Sequence, residues 1–314
     1  MRPAMRDAVG SIFAAAALFA ATQAFAQGAP EDACKARDVS IEERLAGCTA
    51  MIDAKRETGR SLAMAYCNRG FALTEKREFD RALADLEQAI KLDPTYACSF
   101  SNRGRVFAFK GDLERAMADY NEAIRLDPKF ATAYNNRGDA LMRRNDLERA
   151  IADFSTAIRL DPQSAYAYGN RGFAYFRQRD FNRAIADYSA QIKLAPGDIV
   201  AHLNRGNAWR AMEKLDQAAA DYAEVIRLAP RDARGWRNRG LIRLMKGDFK
   251  AGIADYDKAV EFDPQDAYSW NNRGIAKRES GDKAGAIADF RKALEIAPNL
   301  PTARQQLREL GVKL

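Results

Sequence analysis

The stretch NRGRVFAFKGDLERAMADYNEAIRLDP, residues 102–128, carries the pattern that organises the chain. Its Asn-Arg-Gly opening recurs at Asn68, Asn102, Asn136, Asn170, Asn204, Asn238 and Asn272, always 34 residues apart. Its closing proline recurs at the same interval, at Pro94, Pro128, Pro162, Pro196, Pro230, Pro264 and Pro298. Taking the glycine as position 8 frames the repeats at 63–96, 97–130, 131–164, 165–198, 199–232, 233–266 and 267–300, together 238 of the 314 residues. A period of this size marks a stacked array, in which each unit buries its apolar face only against its neighbours.

Within each frame, helical periodicity runs twice, with a short polar turn between the runs. The first helix carries an aromatic or large residue at position 4: Tyr66, Phe100, Tyr134, Tyr168, His202, Trp236 and Trp270. The glycine at position 8 admits a close helix approach that any side chain would prevent. The second helix has a small residue at position 20 (Ala82, Ala116, Ala150, Ala184, Ala218, Gly252, Ala286). One turn later comes a large one at position 24 (Leu86, Tyr120, Phe154, Tyr188, Tyr222, Tyr256, Phe290). Large against small is what close packing across a hairpin requires. The proline ends the second helix, because the residue before it is pushed out of the helical region.

These residues resemble the tetratricopeptide repeat, whose signature is aromatic-4, Gly-8, Ala-20, aromatic-24, Ala-27 and Pro-32, and the resemblance covers all seven frames. It implies an all-α fold: a right-handed superhelical solenoid of seven helix-turn-helix hairpins, with about seven repeats to one superhelical turn. Gln191 and Val225 depart from alanine at position 27. Arg243 and Lys277 replace the large apolar residue at position 11 and are expected to mark looser packing. Residues 41–53 read as a helix preceding the first repeat, and residues 301–314 as a C-terminal capping helix that covers the last apolar face.

Position 7, usually leucine in the family, is arginine in every frame: Arg69, Arg103, Arg137, Arg171, Arg205, Arg239 and Arg273. Position 23 is aspartate in every frame: Asp85, Asp119, Asp153, Asp187, Asp221, Asp255 and Asp289. Opposite charges on the two helices of a hairpin suggest a partly buried pair that fixes their register. A ladder of arginines for anionic ligands is the competing reading.

The first 26 residues read as an export leader. Arg2 and Arg6 precede an apolar run from Val9 to Ala24, and Ala24-Phe25-Ala26 ahead of Gln27 is a small-x-small cleavage site. A retained anchor is the alternative, but the run is short for a span. The expected location is therefore periplasmic or secreted, with residues 27–62 forming an N-terminal extension. Without the leader, 48 basic side chains stand against 42 acidic ones, a net +6. This mild excess favours acidic partners and gives no case for nucleic acid.

The four cysteines, Cys34, Cys48, Cys67 and Cys98, all lie in the first third of the chain. In an oxidising compartment they are disulfide candidates. Of the three possible pairings, Cys34 with Cys48 and Cys67 with Cys98 are expected. A metal site is the alternative, yet there is no Cys-x-x-Cys and the only histidine, His202, is distant. No metal or cofactor is expected.

In arrays of this family, positions 2, 5, 6, 9, 12 and 13 of the first helix face the concave groove. Position 6 is the asparagine ladder, Asn68 to Asn272. A side-chain amide both donates to and accepts from a peptide backbone, and the pattern resembles the ladder in the repeats of protein O-linked N-acetylglucosamine transferases. The same asparagines could instead tie adjacent repeats together. Around them, Tyr166, Phe173, Phe176, Arg177, Arg210, Arg234 and Arg237 form a groove patch of exposed aromatics and arginines, as binding surfaces do. Position 5 is never lysine, so the carboxylate clamp of chaperone-binding repeats is not expected. Gly-x-Ser-x-Gly, phosphate-cradling Gly-Lys-Ser/Thr and His-Glu-x-x-His motifs are all missing. His202 occupies the position-4 packing slot.

The sequence thus points to a non-enzymatic scaffold of the cell envelope, binding extended peptide segments of acidic and aromatic or apolar character. Two alternatives are an accessory subunit that presents substrates to an envelope enzyme or export machine, and a binder of an anionic glycan or surface polymer.

Overall fold

The second helix of each repeat ends where its proline dictates. In the computed structural model, which describes residues 31–36 and 38–313, the residue before Pro94 is extended (Asp93, φ −143°, ψ 92°). The same geometry recurs at Asp127, Asp161, Ala195, Ala229, Asp263 and Ala297. The leader expected over residues 1–26 lies outside the described residues.

Seventeen α-helices and no strand are found among the described residues. Helices α1 (Asp32–Lys35) and α2 (Ile41–Asp53) precede the hairpins. The first helices of the seven repeats are α3 (Gly59–Glu75), α5 (Ala97–Phe109), α7 (Ala131–Arg143), α9 (Ala165–Arg177), α11 (Ile199–Ala211), α13 (Ala233–Met245) and α15 (Ala267–Glu279). The second helices are α4 (Phe79–Leu92), α6 (Leu113–Leu126), α8 (Leu147–Leu160), α10 (Phe181–Leu194), α12 (Leu215–Leu228), α14 (Phe249–Phe262) and α16 (Lys283–Ile296). Helix α17 (Pro301–Glu309) follows. The chain divides into two compact units, one ending at Arg144 and one beginning at Asn145, so the division falls in the turn of the third repeat.

Within each unit, first helices of neighbouring repeats touch: α3 with α5 and α5 with α7 in one, α9 with α11 and α13 with α15 in the other. Second helices pack instead against the first helices that flank them within the same unit. The first helices therefore share one face in each unit.

Both ends of the hairpin turn are set chemically. Position 15 is left-handed in every repeat: Arg77, Gly111, Asn145, Arg179, Glu213, Gly247 and Gly281, with φ from 59° to 91°. Position 16 then caps the second helix. The side chains of Asp112, Asp146, Asp180, Asp248 and Asp282 each accept the backbone N–H three residues on, which satisfies one of the orphan donors of a helix start.

The position-8 glycines meet the position-24 side chains directly. A Cβ on Gly206 would lie 2.7 Å from Tyr222, and one on Gly274 2.7 Å from Phe290. Tyr120, Tyr188, Tyr222, Tyr256, Phe154 and Phe290 are the largest fully buried side chains. Two departures at position 27 each face an additional glycine. A Cβ on Gly169 would lie 2.6 Å from Gln191, and one on Gly235 2.9 Å from Val225. The larger side chain occupies space that a missing Cβ leaves.

The arginine of position 7 grips the aspartate of position 23 with two parallel bonds. Arg69–Asp85, Arg103–Asp119, Arg171–Asp187, Arg205–Asp221, Arg239–Asp255 and Arg273–Asp289 are all joined this way, at 2.7–3.0 Å. Such forked pairs fix orientation as well as charge. The same guanidinium stacks over the position-4 ring, as Arg239 does on Trp236 (5.1 Å) and Arg273 on Trp270 (4.6 Å). His202 fills that slot in its repeat, buried, with Nδ1 3.3 Å from Asp221.

Arg243 and Lys277 do not mark loose packing, contrary to expectation. Arg243 reaches Asp255 at 2.9 Å and Lys277 reaches Asp289 at 2.9 Å, so each adds a second cation to a buried carboxylate. Cys34 and Cys48 are bonded. Cys67 and Cys98, expected as a second bridge, stand as thiols with sulfurs 3.1 Å apart, and the Asn102 amide donates to both.

Candidate binding face

On the first-helix face, the asparagine ladder divides into two kinds of position. In the unit ending at Arg144, each asparagine reaches back along the array. Asn68 Nδ2 donates to the Cys34 carbonyl (2.8 Å), Asn102 Nδ2 to Cys67 Sγ (3.2 Å) and Asn136 Nδ2 to Ser101 Oγ (3.3 Å). For Asn102 and Asn136 the acceptor is position 5 of the preceding repeat. These amides link neighbouring elements of the array.

Ahead of Asn204 and Asn238, in the other unit, that acceptor is lost. Position 5 is Gly169 ahead of Asn204 and Leu203 ahead of Asn238, and neither side chain can accept. Asn272 instead accepts from Asn271 (3.1 Å). Asn204 is half-buried and lines a cavity of about 430 Å³ together with Tyr166, Gly169, Asn170, Phe173, Gln191, Asp198 and Val200. Asn170 has partners of its own.

Three apolar side chains around this cavity face solvent: Tyr166 at 82%, Phe173 at 41% and Val200 at 47% exposure. Tyr166 and Phe173 lie on α9, nearly two turns apart, and Val200 opens α11. Large apolar side chains left outside on one spot mark an interaction site more than a random surface does. The polar floor is fixed: Gln191 Nε2 donates to Asp198 Oδ2 (2.7 Å), and Asp198 accepts the N–H groups of Val200 and Ala201 at the start of α11. Gln191 Oε1 is left buried without a partner.

The arginines of the expected patch do not join this cavity. Arg234 chelates Asp232 and holds that carboxyl below the usual carboxylate range. Arg237 pairs with Asp266 at 3.3 Å, and Arg177 donates to Asn145 at 2.7 Å. Arg210 lies beside Tyr222, whose hydroxyl burial pushes up to about 12. Phe176 packs edge-on against Phe181 of α10 (5.4 Å) and belongs to the hairpin core. What converges is aromatic and amide chemistry, not positive charge. Val200, Gly169 and Gln191 were not singled out as binding residues from the sequence. The paired departures at positions 5 and 27 were the available signal.

No group of three or more His, Cys, Asp or Glu able to hold a metal is found among the described residues. None of their helices is long and apolar enough to cross a membrane.

Hairpins in tandem, with first helices sharing an accessible face, define a helical repeat protein. Family models described as TPR repeat match residues 104–143 and 138–179, and those described as tetratricopeptide repeat match 63–96, 165–198, 203–267 and 267–300. The chain belongs to the tetratricopeptide repeat family. The comparison with curated proteins gives no match. Among solved structures, YrrB, described as a TPR protein with an unusual peptide-binding site, is 21% identical with a TM-score of 0.52, covering 60% of this chain and 97% of that one. PilW, a widely conserved type IV pilus biogenesis factor, is 16% identical with a TM-score of 0.60, covering 67% and 98%. The C-terminal part of a TPR repeat-containing protein from Cytophaga hutchinsonii is 17% identical with a TM-score of 0.62, covering 77% and 99%. At these identities the likeness is one of fold.

Proposed function

We propose that the chain is a non-enzymatic adaptor of the cell envelope that holds an extended peptide segment on the first-helix face around α9 and α11. The observation that carries this reading is the cavity where Tyr166, Phe173 and Val200 stand exposed beside Asn170 and Asn204. An extended peptide matches it on two counts. Its side chains supply apolar surface for the rings, and its backbone supplies donors and acceptors for amides. The peptide-binding site of YrrB and the pilus-biogenesis role of PilW are properties of those proteins, and they support an interaction role for this fold. The leader-like sequence pattern of residues 1–26 supports a periplasmic or secreted location.

The chain lacking residues 1–26 is to be panned against a random-peptide display library, alongside the triple variant Tyr166→Ser, Phe173→Ser, Val200→Ser. Enriched sequences bearing aromatic or aliphatic anchors are expected, with capture lost in the variant while its helical circular dichroism is unchanged. Equal capture by both proteins overturns the site. For the location, N-terminal sequencing of the exported protein should begin at Gln27, and an intact Met1 in the membrane fraction overturns that part.

A further inference from the structure

Cys67 and Cys98 lie on neighbouring first helices, α3 and α5, with their sulfurs 3.1 Å apart and unbonded. A disulfide requires about 2.05 Å, so closure needs a sulfur movement of only about 1 Å. The two thiols are placed unequally. Cys67 is wholly buried, whereas Cys98 is half-buried and forms part of the wall of a cavity of about 560 Å³ lined also by Arg60, Tyr96 and Phe130. A reagent entering that cavity meets Cys98 first and finds Cys67 behind it. The Asn102 amide donates to both sulfurs, at 3.2 and 3.5 Å, and so holds them side by side. Burial pushes the Cys67 thiol well above its ordinary range. A hydrogen bond with Cys67 lowers Cys98, and Tyr96 and Asn102 lower it further. Thiolate character and access therefore coincide on one sulfur.

We propose that Cys98 and Cys67 form a thiol–disulfide exchange site, with Cys98 the attacking and Cys67 the resolving sulfur, whose oxidised state ties repeat 1 to repeat 2. The substrate class is a disulfide small enough to enter the cavity. The Cys98 thiol gives its proton to solvent and its thiolate attacks one sulfur of RSSR. The S–S bond breaks and RS⁻ leaves, to be protonated by solvent. The Cys67 thiol then gives its proton to solvent and its thiolate attacks the Cys98 sulfur of the mixed disulfide, expelling the second RS⁻, which solvent protonates. Two protein thiols are oxidised to one disulfide, and RSSR is reduced to two RSH. The Cys34–Cys48 bond is a built-in contrast, because both of its cysteines are wholly buried.

The chain lacking residues 1–26 is to be equilibrated in graded mixtures of reduced and oxidised glutathione, alkylated, and mapped by mass spectrometry. The Cys67–Cys98 bond is expected to form and open across the series while Cys34–Cys48 stays closed. Cys67→Ser is expected to accumulate glutathione on Cys98. Cys98→Ser is expected to leave Cys67 without adduct over the time in which Cys98 of the Cys67→Ser variant is fully modified. Failure of the bond to form at any ratio overturns the proposal, as does opening of both bonds together or equal labelling of Cys67 in Cys98→Ser. The order of opening is read on the unsubstituted chain, so the outcome stands even where a serine variant fails to fold.

Discussion

A buried aspartate with one cation and a buried aspartate with two respond differently to the same loss. Among the described residues Asp187 is held by one cation, Arg171, whereas Asp255 is held by two, Arg239 and Arg243. Removing one partner of a buried pair leaves an uncompensated charge, at a cost of about 3–5 kcal/mol. The guanidinium edges here reach solvent, which puts Arg171→Met near the low end, at about 3 kcal/mol. Arg239→Met should cost roughly half as much, because Arg243 still neutralises Asp255, and the double variant Arg239→Met, Arg243→Met should regain the full cost. Chemical denaturation of the variants checks this, and equal losses for Arg171→Met and Arg239→Met would show that Arg243 does not substitute. The Arg-7 and Asp-23 pairing was legible because opposite charges recur at a fixed spacing of 16. The role of Arg243 was not, since a charge in an apolar slot looks like a packing fault until its partner on the other helix is seen.

The hairpin turn carries a conformational demand that its sequence only half displays. Position 15 is left-handed throughout, yet only Gly111, Gly247 and Gly281 are glycine, with Asn145 the next best suited. Arg77, Arg179 and Glu213 hold the same φ with a Cβ, which costs about 1–2 kcal/mol per residue in that region. Glycine relieves that strain but raises the entropy of the unfolded chain by about 0.5–1 kcal/mol. Glu213→Gly is therefore expected to stabilise by about 0.5–1 kcal/mol, and Gly247→Ala to destabilise by about 1 kcal/mol. Thermal unfolding of the pair tests the turn geometry, and a fall in midpoint for Glu213→Gly would count against it. Three glycines and an asparagine at one spacing were visible in the sequence. The other residues hid the rule, because an isolated arginine or glutamate in a polar turn reads as an ordinary surface residue. Helix starts were more transparent: aspartate at position 16 is both a turn former and a cap.

Stacking explains why the architecture was far easier to read than the binding face. Positions 4, 7, 8, 20, 23, 24 and 32 answer to contacts repeated every 34 residues, so seven copies state each rule. The cavity beside Tyr166 depends on single departures, Gly169 and Gln191, which break the repeat once and carry no statistical weight. The same nearest-neighbour logic applies at the end of the unit that begins at Asn145. Helix α17 buries Ala303 and Leu307 against Phe290, Ala293 and Leu300, and leaves Arg304, Arg308 and Glu309 to solvent. Deleting residues 301–314 should uncover that apolar face. Loss of one fully buried leucine and its neighbouring alanine is worth about 2–3 kcal/mol, or roughly 30- to 150-fold in local opening at tenfold per 1.4 kcal/mol. In an array whose repeats contact only their neighbours, the loss should concentrate in α15 and α16 and fade towards α9 and α10. Hydrogen exchange on the truncated chain reads this directly. A uniform loss of protection from α9 to α16 would mean instead that the unit opens as one cooperative body, with α17 stabilising all of it rather than the repeat it touches.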